Sequence, residues 1–413
     1  MFDASAALFG KRDFMIKLLT ISSLRAFHGV ARNASLTAAA AGLSRSQPAL
    51  TLALTKLEDQ VGCRLLERGR SGAQLTTAGE ILHGRVNRLF RLLDLALQEV
   101  APVSRSLRTQ WLDRITDAQL RLMAAVADST DIEGAARTME ITPASLRRTA
   151  RSLEEALNQP LFVARPNRMV PTDECAEMAR KIKLGLQEIA SAIEDIADER
   201  GQVEARIAVG MVPLCATAVL TSSINDFLDV FPSAQVKIAH GAYLPLLQDL
   251  RFGRIDILFG VLRSPGWAGD IVEEPLFYDG YAIAARRGHP LTRKRSPDLD
   301  DLLQFEWIAP PQGTPRREST ERIFAQSPVK PRVVIETSSL NMLRALLSAS
   351  DRISLMTMRE LQQETGPGGR LTCLAVDPEV RRGHDGIAMR SDWVPTRVQN
   401  RFIEILRGNC NVA

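Results

Sequence analysis

The groups in this chain best placed to do chemistry are arginines. In LLERGRSGAQLTTAG, Arg68 and Arg70 flank a glycine in a basic turn, where two guanidinium groups could meet phosphates. In TPASLRRTARSLEEAL, Arg147, Arg148 and Arg151 fall at i, i+1 and i+4, which puts two of the three on one helical face. Further on, ARPNRMVPT adds Arg165, Asn167 and Arg168. Arrangements for bond-making chemistry do not accompany them. There is no G-x-S-x-G elbow, no P-loop and no cluster with metal-ligand spacing, so no catalytic residue, metal or cofactor is expected. The five histidines, at 28, 83, 240, 289 and 384, are scattered, and His289 in RRGHP reads as a turn residue rather than a general base. Five cysteines, an odd number without C-x-x-C spacing, read as reduced thiols. Cys215, in a segment expected to line a cleft, is the one thiol with a case for redox sensing.

The arginines sit in segments that the chain writes twice. EITPASLRRTARSLEEALN repeats SRSQPALTLALTKLEDQVG at an offset of 96. The same offset pairs Leu24 with Leu120, Val30 with Val126, Leu50 with Leu146, Glu58 with Glu154, Leu65 with Leu161 and Thr76 with Thr172. A gapless match over roughly fifty positions is an internal repeat. Most matched positions are apolar, so what is repeated is chiefly a core.

Each copy reads as three short helices and a hairpin. In the first, SSLRAFHGVARN sets Leu24, Phe27, Val30 and Ala31 on one face, with Ser22 able to cap its start. SLTAAAAGL is a second helix, starting near Ser35 or Thr37 and ending at Gly42. SQPALTLALTKLEDQVG is a third, with Pro48 in its first turn and Gly62 as its stop. Two small-residue helices before a longer one with a polar start is the helix-turn-helix pattern, and the alanine run permits close packing. The hairpin that follows is a wing.

The stretch LRAFHGVARNASLTAAAAGLSRSQPALTLALTKLEDQVGCRLLERGRSGAQLTTAGE resembles the N-terminal domain of LysR-type transcriptional regulators. The resemblance implies a cytoplasmic, ligand-responsive regulator of bacterial transcription. Its partners would be double-stranded DNA, a small-molecule effector and further copies of itself, as a dimer or tetramer on a partly palindromic site. It places Ser44 and Arg45 just ahead of the reading helix, and Ser46, Gln47, Pro48, Ala49 and Thr51 on its first turns, where base edges are reached. Gln can pair bidentately with adenine, and Thr can meet a hydrogen-bonding edge or a thymine methyl. Arg68 and Arg70 would hold phosphates. The continuation TLALTK is more apolar than the family's usual groove face.

The second copy departs from that pattern. Thr142 opens its third helix, and Pro143 and Ala144 stand where Gln47 and Pro48 stood. Arg147, Arg148, Arg151, Arg165 and Arg168 offer contacts to guanine or phosphate. The alternative is a copy that packs or dimerises with its arginines solvated. A long amphipathic helix follows each copy. One carries Ile81, Val86, Leu89, Phe90, Leu93 and Leu97, the other Met178, Ile182, Leu186, Ile189, Ile193 and Ile196. In LysR-type proteins the equivalent helix pairs two subunits, and either stripe could serve.

From about residue 203 strands alternate with helices, the mark of a parallel α/β sheet. FPSAQVKI and LLQDLRFGRIDILFGV resemble the LysR-type effector domain, which shares the bilobed fold of periplasmic solute-binding proteins. The expected fold is therefore multidomain. Two winged helix-turn-helix units with linker helices (18–102 and 114–200) precede a bilobed α/β domain (203–413). Lobe I takes about 203–272 and 394–413, and lobe II about 273–393. A ligand is expected between the lobes, at helix N-termini that favour an anion. Met211, Pro213, Thr314, Arg316, Ser338 and Ser339 are the candidate contacts, for a carboxylate or sugar hydroxyls. WIAPPQGTPRR resembles family members that respond to sugars or aromatic-pathway acids.

Composition bounds these readings. With 413 residues, 45% hydrophobic and 24% charged, the chain can build several cores. No apolar run approaches the ~20 residues of a membrane span, and MFDASAALFGKRDF lacks the pattern of a signal peptide, with Met15 an alternative start. Two functions remain. One is a DNA-binding regulator switched by a small molecule. The other is a solute-binding or enzymatic α/β protein whose N-terminal units only mediate assembly.

Overall fold

Both copies fold to one plan, element by element. The first comprises α1 (Ile21–Asn33), α2 (Leu36–Gly42), α3 (Gln47–Val61), the hairpin β1 (Leu66–Gly69) and β2 (Gly72–Leu75), and α4 (Thr77–Gln98). After a short α5 (Arg105–Arg114), the second comprises α6 (Asp117–Ala127), α7 (Ile132–Thr138), α8 (Pro143–Leu157), β3 (Phe162–Arg165), β4 (Arg168–Pro171) and α9 (Asp173–Glu199). The computed structural model describes residues 19–412, apart from 70–71, 101–104, 203–205, 215–216, 264–265, 267, 367, 377 and 379–382.

Matching side chains start the matching helices. Thr20 and Thr116, Ser35 and Asp131, Ser46 and Thr142, and Thr76 and Thr172 each accept a backbone N–H of the first turn. Each such cap is worth about 1 kcal/mol. Thr20 takes the role expected of Ser22, whose hydroxyl instead accepts from Arg45 Nη2 at 3.0 Å. Left-handed residues also recur: Ser44 (φ 51) and Glu140 (φ 55) in the turn before the third helix, Gly62 (φ 78) and Asn158 (φ 51) at its end.

One half-buried carboxylate contact recurs as well. Glu58 Oε1 accepts from the N–H groups of Leu65 (2.8 Å) and Leu66 (3.1 Å). Glu154 Oε1 accepts from Leu161 (2.8 Å) and Phe162 (3.0 Å). Each ties the end of the third helix to its wing, over cores that include Leu24, Phe27, Leu50 and Leu57 in one copy and Leu120, Leu146 and Leu153 in the other.

The apolar stripes of α4 and α9 pack on each other within the chain. The buried face of α4 runs through Leu82, Val86, Leu89, Leu92, Leu93, Ala96 and Leu97, with Ile81 and Phe90 only half-buried at its margin. On α9 it takes Met178, Ile182, Leu186, Ile189 and Ile196, while Ile193 is half-buried.

The chain divides into two compact halves near residue 205, with 395–398 grouped with the first. In the second half, β5 (Arg206–Met211), α10 (Thr217–Val230), β6 (Gln235–His240), α11 (Tyr243–Arg251) and β7 (Ile257–Val261) give a parallel β6-β5-β7 sheet. β14 (Asp385–Arg390), antiparallel to β7, and then β8 (Ile271–Phe277), antiparallel to β14, extend it to five. The second lobe is built on β9 (Tyr281–Arg286), flanked by β12 (Ser354–Thr357) and β13 (Leu371–Cys373), and on the parallel pair β10 (Trp307–Ala309) and β11 (Val333–Glu336). α16 (Arg397–Val412) closes the chain.

Lobe I thus extends to residue 277 and resumes at 385, rather than breaking at 272 and resuming at 394. The crossings fall at 278–280 and between β13 and β14. Strand pairing decides this, and a short, largely buried strand such as β14 carries no periodic mark of the sheet it joins. No helix among the described residues is long and apolar enough to cross a membrane.

Candidate nucleic-acid interface and effector cleft

On α3, Leu50, Leu54 and Leu57 point inward and fix which side faces out. Ser44, Arg45, Ser46, Gln47, Pro48 and Ala49 are exposed, and Thr51 is half-buried, donating to the Gln47 carbonyl at 3.0 Å. Pro48 sits in the first turn, where its missing N–H costs nothing. Leu52, 71% exposed, stands on the same outer surface. Arg68 lies on β1, its side chain outside the described residues; Arg70 lies outside them altogether.

α8 buries Leu146, Ala150 and Leu153 and exposes Thr142, Pro143, Arg148 and Arg151. Arg165 and Arg168 are exposed and face each other across the β3–β4 hairpin, with Asn167 (φ 61) in its turn. Arg147 differs from what the sequence suggested. Its Nη2 donates to Glu133 Oε1 on α7 at 2.5 Å, and Glu133 Oε2 accepts the Met169 N–H of the wing at 3.1 Å. Burial would raise the Glu133 carboxyl, but Arg147 and the Met169 amide outweigh it and hold the group below the usual carboxylate range. Arg147 therefore braces the second copy. The repeat explains it: the first copy has Thr37 and Thr51 at the two positions, so both partners are particular to the second.

In the second half, β10 and β11 are parallel neighbours, and each leads to a helix. α13 (Pro315–Ile323) is capped by Thr314, and α14 (Leu340–Ser348) by Ser339. Thr314 Oγ1 accepts from Arg317 N at 3.3 Å and donates to the Pro311 carbonyl at 2.8 Å. Ser339 Oγ accepts from Met342 N at 3.3 Å, and the half-buried Ser338 hydroxyl has no partner among the described residues. Arg317 Nη1 binds Glu336 Oε1 at 2.7 Å and so holds α13 beside the end of β11. Two helix N-termini thereby share one wall.

The other wall is the end of β5, with the half-buried Met211 and Pro213. Arg316 spans between them, its Nη2 donating to the Leu214 carbonyl at 3.0 Å. It is only 4% exposed, and the same nitrogen pairs with Glu360 Oε2 on α15 (Met358–Thr365) at 2.8 Å. Arg316 is thus neither a surface charge nor a group waiting for a ligand. Its charge is balanced by a buried carboxylate. Cys215 lies outside the described residues. Burial raises the other four thiols, Cys175 to about 12 and Cys410 to about 11, so none is a ready thiolate at neutral pH.

Two sequence patterns match this chain. The one described as bacterial regulatory helix-turn-helix protein, lysR family, fits twice, at residues 21–80 and 118–176. The one described as LysR substrate binding domain fits residues 200–411. The chain belongs to the LysR family of transcriptional regulators. It is 28% identical to the HTH-type transcriptional regulator GalR of Pseudomonas putida over 86% of this chain and 88% of that one. It is 24% identical to PcaQ of Agrobacterium fabrum over 71% and 94%. A full-length OxyR variant from Pseudomonas aeruginosa shares the fold, with a TM-score of 0.53 at 19% identity over 73% of this chain and 96% of that one.

As a LysR-family member the chain is a DNA-binding regulator with an effector domain. Two side chains near its cleft escaped the sequence reading. Arg263, after β7, lies over the Tyr243 ring at 4.4 Å. Partial burial pulls its guanidinium below the ordinary range, against the opposing pull of Tyr243 and of Glu318 on α13. Burial and Glu273 push the Tyr243 phenol up to about 12. No local spacing marks this pair, because β7 and α11 bring it together.

Proposed function

We propose that this LysR-family chain is a cytoplasmic, sequence-specific regulator that works as a homo-oligomer, a dimer or tetramer, and answers to a small organic acid held between the lobes of its effector domain. Gln47 and Thr51 read base edges, with Ser44, Arg45, Ser46 and Pro48 fixing the helix start against the backbone. Arg68, Arg70, Thr142, Arg148, Arg151, Arg165 and Arg168 supply contacts to phosphate or guanine. Thr314, Ser338, Ser339, Met211 and Pro213 line the effector site, and Arg316 keeps its walls in register. The observation that carries this reading is the outer face of α3, where an exposed polar first turn is fixed by Leu50, Leu54 and Leu57 beneath it.

The effector class rests on the two helix N-termini on one wall, whose free N–H groups favour negative charge, and on the Ser338 hydroxyl beside them. A carboxylate bearing hydroxyls or a ring, from a sugar or an aromatic pathway, suits that wall and the apolar one opposite. The test is a nuclease footprint on DNA flanking the chain's own gene, repeated over a salt series. The double change Gln47→Ala with Thr51→Ala is expected to relax base choice by about 1–3 kcal/mol per lost contact. Arg148→Glu with Arg151→Glu is expected to shorten the footprint and lower the salt slope by about 2. Binding that is absent, or indifferent to salt, defeats the reading.

A further inference from the structure

The packing of α4 on α9 has the form of a two-fold interface, made within one chain. Arg85 Nη2 on α4 pairs with Asp195 Oδ2 on α9 at 2.8 Å. Lys181 on α9 pairs with Glu99, the residue that caps the end of α4. The repeat offset carries Arg85 to Lys181 and Glu99 to Asp195, so this is one ion pair made twice, once in each direction. Such reciprocity defines an isologous contact. The helices run antiparallel, since the basic residue near the start of each meets the acid near the end of the other.

Residues at matching positions meet on the axis. Leu89 and Gly185 correspond, and a Cβ on Gly185 would lie 3.0 Å from Leu89 Cδ1 and 3.5 Å from the Leu89 carbonyl. Ile21 and Asp117 also correspond, and the Ile21 N–H donates to Asp117 Oδ1 at 2.9 Å. The pairing is specified as one of unlike helices. Glu188, 7% exposed, takes both Arg85 Nη1 and Arg88 Nε at 2.9 Å, whereas the first copy has Leu92 at the Glu188 position. Two α4 helices brought together would set Leu89 against Leu89 and leave Arg88 without this carboxylate. The tether within the chain favours α4 on α9 further, by effective concentration.

We infer that a single chain is the complete DNA-reading unit and that its operator is directional, a duplex whose two halves differ. This rests on the reading that both winged units touch DNA. A reader made of two identical units matches a palindrome, because operator symmetry mirrors protein symmetry. Here the symmetry of the scaffold is kept and that of the reading faces is not. Leu52 and Thr55 of α3 correspond to Arg148 and Arg151 of α8, and Gln47 corresponds to Pro143. An amide, hydroxyls and an exposed leucine fit adenine and thymine, with Leu52 against a methyl; the free arginines fit guanine. The half under α3 is A·T-bearing and the half under α8 is guanine-bearing. Any further self-association uses a surface other than the α4–α9 face.

Two measurements on the full-length chain test this. In the first, unlabelled and ¹⁵N-labelled chains are mixed, incubated and treated with a carbodiimide, which joins an ammonium to a carboxylate it already touches. Lys181–Glu99 peptides are expected to be wholly light or wholly heavy. Mixed peptides would show that the face is shared between chains and overturn the inference. In the second, the chain selects from a pool of random duplexes. The expected site has two unlike halves in fixed order, and inverting one half in place weakens binding at least about tenfold. An enriched palindrome overturns the inference and leaves the DNA-binding reading intact. No enrichment at all sinks both.

Discussion

The two winged copies share the caps, turns and wing contacts that shape them and few of the side chains that face outward. The caps at 20 and 116, 46 and 142, and 76 and 172 agree, as do the left-handed residues at 44 and 140 and the Glu58 and Glu154 contacts to the wing. On the outer faces, Gln47 faces Pro143 in the alignment and Leu52 faces Arg148. Backbone polar groups leave little freedom, because a lost partner costs the desolvation of the group left behind. A solvent-facing side chain has no such creditor, so it can change with what it meets outside the chain.

The comparison can be broken hardest at the axis. Arg85→Ala leaves Glu188 and Asp195 buried with one cation fewer, and is expected to cost about 3 kcal/mol, read as lost amide protection along both α4 and α9. Gly185→Leu restores likeness at the dyad by setting leucine against leucine. It is expected to cost about 2 kcal/mol through overpacking, seen as a lower melting temperature of the N-terminal half. Glu58→Ala and Glu154→Ala, each removing one acceptor from two N–H groups, should cost about 1.5 kcal/mol apiece. Hydrogen exchange at Leu65 and Leu161 would show it, and a large inequality between them would mean that the two copies are not held alike.

The smallest effect is a matter of pH. Burial, with His83 and Arg32 nearby, pushes the His28 imidazole down to about 4, and burial lowers His83 too. The unfolded chain therefore binds protons that the folded copy refuses. Stability conferred by the neutral rings is complete above about pH 6.5 and declines as pH falls toward 4. The second copy has Ala124 and Ala179 at these positions, so acidification to pH 5 is expected to loosen the first copy only. Amide exchange in each copy, with His28→Phe flattening the slope, is the check.

The sequence made the repeat, the helix order, the wing and the polar start of α3 legible, because each depends on residues close together in the chain. It also suggested the cleft-lining segments around Thr314 and Ser338. What it hid were partners far apart in sequence. Arg147 and Arg316 carry nothing to show that Glu133 and Glu360 have claimed them. The edge of α4's buried face depends on α9, and the lobe crossing depends on where β8 and β14 pair.

The glycine at the dyad also bears on heredity. In a homodimer every substitution appears on both sides of the axis at once, so a large side chain can never be answered there by the absence of one. Writing both halves in one gene lifts that constraint, and Leu89 opposite Gly185 is a pairing that no homodimer could reach. Loss of one copy would set Leu89 against Leu89 and leave Arg88 without the carboxylate of Glu188.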